Sequence, residues 1–252
     1  MRTVLIGNAA AHVEAERSVL PPVRLSLSDA LVITGPYTSA SEHERHLLST
    51  VGAGNWVDAA RDEMRFVPRS GRLASLWLQI PETVTGTEVS GAGWLGAERT
   101  AGDLALLRGE DFTLPPVRSR WCADDGSALV CVTVAAHDGG AARQLRVSVA
   151  EDLDLLFRNE EYVGWLLLRP ERHLSASWTP PSGGESDPQL GAWLAEYLSM
   201  VDESTVKALE DGDRMALGAL TGLAGRVARE AYSSPRRRVL SDHLAELSDW
   251  FE

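Results

Sequence analysis

The six histidines and two cysteines are the side chains of this 252-residue chain with the widest chemical range near neutral pH. His12, Glu14 and Glu16 alternate along His-Val-Glu-Ala-Glu, so an extended strand turns all three to one side. Facing inward, an imidazole and two carboxylates make an acid–base row. Facing outward they are the wet side of an edge strand, which is the simpler reading. His43 and His46 are three apart on a predicted helix, with Glu42 and Glu44 close by. Two imidazoles at that spacing can share a metal ion. The sequence places no third ligand, and no metal is expected.

Cys122 and Cys131 flank Ala-Asp-Asp-Gly-Ser, which reads as a turn between two strands. Placed opposite each other, they make a disulfide geometrically conceivable. The apolar run after Met1-Arg2 breaks at Gly7-Asn8, so no export signal is expected. A reducing, cytoplasmic setting with two free, buried thiols follows as the expectation. No Gly-x-Ser-x-Gly elbow is present. Gly52-Ala53-Gly54 lacks the third glycine of a phosphate loop, and Asp124-Asp125-Gly126 and Asp211-Gly212-Asp213 are too short for calcium loops. No cofactor is implied. Arg236-Arg237-Arg238 opens a predicted helix, where positive charge opposes the helix dipole. A solvated face paired to Glu or Asp is the ordinary explanation.

These residues are positioned by a chain that repeats itself. Leu20-Pro21-Pro22-Val23-Arg24 recurs as Leu114-Pro115-Pro116-Val117-Arg118, and Ala-Leu-Val follows each copy at Ala30 and Ala128. Glu63 to Glu82 aligns without a gap on Asp152 to Glu171, with Phe66 over Leu155, Leu73 over Tyr162 and Leu78 over Leu167. The pattern predicts an internal duplication with units at about 12–82 and about 106–171. Arg24 and Arg118 are then equivalent. They either face one cleft and bind a carboxylate, or each locks the Pro-Glu end of a hairpin at Glu82 or Glu171. Trp94, Trp121 and Trp178 sit beside loops and are candidates to line a pocket, with Trp121 the ligand candidate beside the two arginines.

The period changes along the chain. Up to about residue 175 it is strand-like, interrupted by one predicted helix from Glu42 to Thr50 with Ser41 and Glu44 as its capping box. Gly52 to Asn55 reads as a loop, and Val89 and Trp94-Leu95 have a β flavour. Residues 176–188 form a Pro/Ser/Gly linker. From 189 to 252 apolar stripes recur at helical spacing and predict about three helices, the second weakened at Asp211-Gly212-Asp213. The expected class is α+β. Residues 1–175 form a duplicated antiparallel β region, a sandwich or flattened barrel with a pseudo-twofold, and the C-terminal helices pack on it.

The net charge of −12 disfavours nucleic acid and anionic membrane surfaces, and no apolar run approaches a membrane span. Basic residues are almost all arginine, with Lys207 the single lysine, a codon bias pointing to a bacterial source. Two function classes stay open. One is a non-catalytic binding or accessory protein that holds a protein or small-molecule partner on an acidic surface or in an inter-repeat cleft. The other is a cofactor-free isomerase or cyclase of specialised metabolism with a pocket between the β units.

Overall fold

Strands form where apolar residues recur at every second position, and they stop where Gly, Pro and Asx residues gather. A computed structural model describes residues 2–15, 20–54, 62–84, 91–133 and 142–251. In chain order the first elements are β1 (Arg2–Ile6), β2 (Ala9–Glu14), β3 (Arg24–Ser26), β4 (Leu31–Thr34), α1 (Ala40–Ser49), β5 (Val51–Ala53), β6 (Glu63–Phe66) and β7 (Leu73–Gln79). There follow α2 (Gly91–Leu95), β8 (Glu98–Ala101), β9 (Asp103–Leu106), β10 (Ser119–Cys122), β11 (Ala128–Val132), β12 (Gln144–Ala150), β13 (Leu153–Arg158) and β14 (Glu161–Leu168). The chain closes with α3 (Pro188–Met200), α4 (Glu203–Glu210), α5 (Arg214–Ala228) and α6 (Pro235–Phe251). The fold is α+β, as the change of period predicts.

Two sheets result. The smaller has the order β3-β4-β7-β6-β5, antiparallel throughout. The larger curls into a half-barrel and branches at β14. Within it, β10-β11-β14-β13-β12 follows the same order and sense as the smaller sheet. β1, β2 and β9 extend it beyond β14, and β8 extends it beyond β12.

The ladders correct the sequence alignment. In both hairpins a register shift leads into a phenylalanine pair, Phe66 with Leu73 and Phe157 with Tyr162, the second followed by Arg158 with Glu161 at the turn. Phe66 therefore matches Phe157, not Leu155. The second turn is two residues shorter, closed by Asn159 and Glu160 at φ 50° and 69°. A change of two keeps every side chain on its own face, which is why the hydrophobic pattern conceals it. The Leu-Pro-Pro-Val-Arg copies are out of step by three. Arg24 pairs with Ile33, which pairs with Trp77. The matching position beside Val130 and Leu166 belongs to Trp121, not to Arg118.

Strands β4, β6 and β11 are buried on both faces. Their inner faces enter one continuous core that includes Val32, Phe66 and Leu78 of the smaller sheet and Leu129, Leu155 and Trp165 of the larger. Leu194, Leu223 and Leu244 of the helices belong to the same core, so the helical region is packed on the β region. The outer faces carry two satellites: Leu31 and Ile33 with Tyr37, and Leu156 and Leu166 with Trp94 of α2.

Local chemistry accounts for the other departures from expectation. The cap of α1 is Ser39, whose hydroxyl accepts from the Glu42 N–H, while the Glu42 carboxylate accepts from Thr38; the capping box lies two residues earlier than Ser41. Residues 51–53 are strand because their ladder partners, Met64 to Phe66, are in place. Trp94-Leu95 is helical, since the Trp94 side chain is needed as a lid on β11. Four C-terminal helices form rather than three. Gly212 at φ 78° ends one and Asp213 caps the next through the Met215 and Ala216 N–H groups. Between Ser175 and Asp187 the chain has no helix or strand.

Candidate functional site

The three successive arginines at the start of α6 point in three directions, because neighbouring helix positions are about 100° apart. Arg236 is buried and donates to the carbonyl oxygens of Glu171 and Glu185, at 3.4 and 2.6 Å. Arg237 forks onto Asp187, the cap of α3, at 2.7 and 2.9 Å, with Glu230 as a further partner and Trp193 beneath it. Arg237 thereby holds Asp187 below the ordinary carboxylate range. Arg238 turns outward and lies 5.2 Å over the ring of Tyr232. Among the described residues its guanidinium makes no ion pair, although Asp242 is one turn away.

Arg238 stands at one end of a recess of about 540 Å³ where α6 meets the β region. Asp242 and Glu246 continue its row along the helix face. Ser175 and Ser177 also line it. Tyr232 is 87% exposed at the rim. Ser175 is only 4% exposed; its N–H donates to Leu25, but its hydroxyl has no hydrogen-bond partner among the described residues. His243 also lines the recess and sits 2.7 Å from the Tyr197 hydroxyl. Burial lowers the pKa of His243 and pushes Tyr197 up to about 12, and the hydroxyl and the ring nitrogen share one hydrogen bond. The recess presents one guanidinium, two carboxylates and several hydroxyls, which suits binding by charge and hydrogen bond.

Most residues singled out in the sequence lie elsewhere. His12 and Glu14 are half-buried on the side of β2 away from inward Ala11 and Val13, with His12 Nδ1 3.2 Å from Thr3 Oγ1. The row faces outward; Glu16 lies outside the described residues. Arg24 is 3% exposed and donates to the carbonyls of Gly35, Tyr37 and Trp178. Burial lowers its pKa, yet three carbonyl dipoles hold the cation. Arg118 is exposed ahead of β10. Among the described residues neither arginine forms an ion pair with Glu82 or Glu171. Glu171 instead accepts from the Ser186 hydroxyl. Arg24 spends its donors on three carbonyls in the smaller sheet, while Arg118 precedes β10 of the larger sheet and is exposed, so no repeated ion pair forms among the described residues.

Trp121 does line a recess, of about 450 Å³, between β10 and α3, together with Glu196. His43 and His46 lie under α1. His43 Nε2 meets Glu63 Oε1 at 3.0 Å and stacks on Trp77, while His46 Nε2 meets Ser75 Oγ at 2.8 Å. Among the described residues no three His, Cys, Asp or Glu side chains are placed to hold a metal ion. Cys122 and Cys131 are free and face Leu129 and Arg120 across the ladder, not each other. Burial pushes Cys122 up to about 12 and Cys131 well above the ordinary thiol range.

The sequence reading missed Ser175, Tyr232 and His243. The arginine run was the available signal, and it pointed to the right stretch without saying which arginine stays free. No protein-family model matches the chain, and neither a curated protein nor a solved structure matches it significantly. No helix among the described residues is long and apolar enough to cross a membrane.

Proposed function

We propose that this chain is a non-catalytic bacterial binding or accessory protein that holds a partner at its surface. The observation carrying this reading is the filled space between the sheets: Phe66, Leu78, Leu155 and Trp165 share one core, and Ile6 of β1 joins them. An enzyme working between the β units needs that space for substrate. The outward row of His12 and Glu14 agrees, and the net charge of −12 favours a basic or amphoteric partner over a polyanion. Native mass spectrometry of freshly purified protein, with denaturing release of whatever it carries, tests the proposal. A compound recovered unchanged after prolonged incubation supports binding. A compound that is consumed or rearranged refutes it in favour of a cofactor-free enzyme.

We also infer that the two five-strand units arose by duplication and are related by a pseudo-twofold. The shared strand order supports this, as does a buried acid at matching positions: Glu63 opposite Trp77, and Asp154 opposite Leu166. Each acid has its own counter-group, His43 for Glu63 and Arg146 for Asp154. Least-squares superposition of β3–β7 on β10–β14 in an experimental structure decides the point, and helical or non-overlaying equivalents refute it.

A further inference from the structure

We propose that the recess along α6 binds a small zwitterion, its carboxylate on Arg238 and its ammonium on Asp242 and Glu246. This rests on the binding role above and names its site and ligand class. Arg238, Asp242 and Glu246 follow one another at intervals of four along one helix face. At about 1.5 Å per residue, the carboxylates stand roughly 6 and 12 Å from the arginine along the axis. A tripeptide with free ends reaches up to about 11 Å at about 3.6 Å per residue, which puts its ammonium between the two carboxylates, as does an ω-amino acid of similar length.

Three observations converge. An arginine four residues before an aspartate on a helix is within reach of an intrahelical ion pair, the weaker of the two orders. Here it is not formed: Arg238 is held over Tyr232, which leaves the edge of its fork available for a bidentate carboxylate. Ser175 also lines the recess, and its buried hydroxyl has no partner among the described residues. Such a group is costly to bury unless something bonds to it, and a ligand in the recess is the natural partner. The recess volume of about 540 Å³ lies within the range of small-molecule sites.

The probes are triglycine and 6-aminohexanoate, with N-acetyl-triglycine and triglycine amide as singly charged controls. Binding is followed by isothermal titration calorimetry and by ligand-observed NMR. Triglycine is expected to bind about tenfold more tightly than either control. Arg238→Gln weakens triglycine but leaves the amide control unchanged. Glu246→Gln with Asp242→Asn removes the preference for a free amino end. Ser175→Ala weakens every probe that fills the recess. These residues are at the surface or tolerate small changes, and circular dichroism confirms that each variant folds. A preference for 6-aminohexanoate over triglycine assigns the ω-amino acid as the source of the same chemistry. Equal affinity for free and capped probes, indifference to Arg238→Gln, or no binding at millimolar concentration overturns the assignment. If native mass spectrometry then still finds an unchanged bound compound, the site falls and the binding role stands.

Discussion

Asp62 gives the sharpest test of how the two sheets are joined. It lies just ahead of β6, 2% exposed. Its Oδ1 accepts from the Gln79 N–H at 2.9 Å in the smaller sheet, and its Oδ2 accepts from the Tyr162 hydroxyl at 2.7 Å in the larger. Burial raises its pKa from 3.8 to about 7, and the two hydrogen bonds offset only part of that. The folded pKa is above the unfolded one. The native state therefore holds the proton more tightly, and its stabilising effect is complete below the unfolded pKa. It is lost as pH rises through about 7. Between about pH 5 and pH 8 the linked loss is roughly 2.5 kcal/mol. Asp62→Asn keeps an acceptor for the Gln79 N–H and cannot ionise; its amide N–H requires the Tyr162 hydroxyl to turn from donor to acceptor, a pH-independent change that leaves the slope with pH as the readout. Urea unfolding at several pH values should show the variant gaining on the wild type by roughly that amount as pH rises. In thermal melts the gain is about 5–10 °C. Every other ionisable group is common to both proteins and cancels in the difference. If the two stability curves run parallel from pH 5 to pH 8, Asp62 does not titrate there and the reasoning fails.

Three further outcomes are expected. Gly126 has φ 71°, and an added Cβ meets Gly191 O at 2.0 Å, so Gly126→Ala should detach α3 from the β10–β11 turn at a cost of about 3 kcal/mol or more in urea unfolding; Gly212→Ala, at φ 78° with open space around it, should cost only about 1 kcal/mol. Cys131 is fully buried and Cys122 half-buried with a thiol pushed up to about 12, so a disulfide-exchange reagent should titrate both only after denaturation; fast native labelling of Cys131 contradicts the packing. Leu155→Ala, at 0% exposure in the shared core, should lower stability by about 2–5 kcal/mol, and a near-neutral result means the sheets do not share that core.

What the sequence determined on its own is periodicity. Alternation along residues 145–149, the apolar run 162–168 and helical stripes after residue 188 follow from which side chains must leave water, so class, hairpins and the helical C-terminus are legible in one dimension. The Asp211-Gly212-Asp213 break is legible too, since a left-handed glycine and an Asx cap act locally. Tertiary structure decided the rest. Identical words do not fix identical environments: Arg24 is buried in β3 and pairs with Ile33, whereas Arg118 precedes β10 and is exposed, because register is set by partner strands and turn length. Nor does a run of three arginines say which one remains unpaired. Arg236 and Arg237 are consumed by the Glu171 carbonyl and the Asp187 carboxylate, and Arg238 is left at the recess because only there does α6 face Tyr232 and Ser175 instead of the body of the protein. Charge and hydrogen-bonding capacity are written in the residues; which of them is spent internally depends on what the fold brings within about 3 Å.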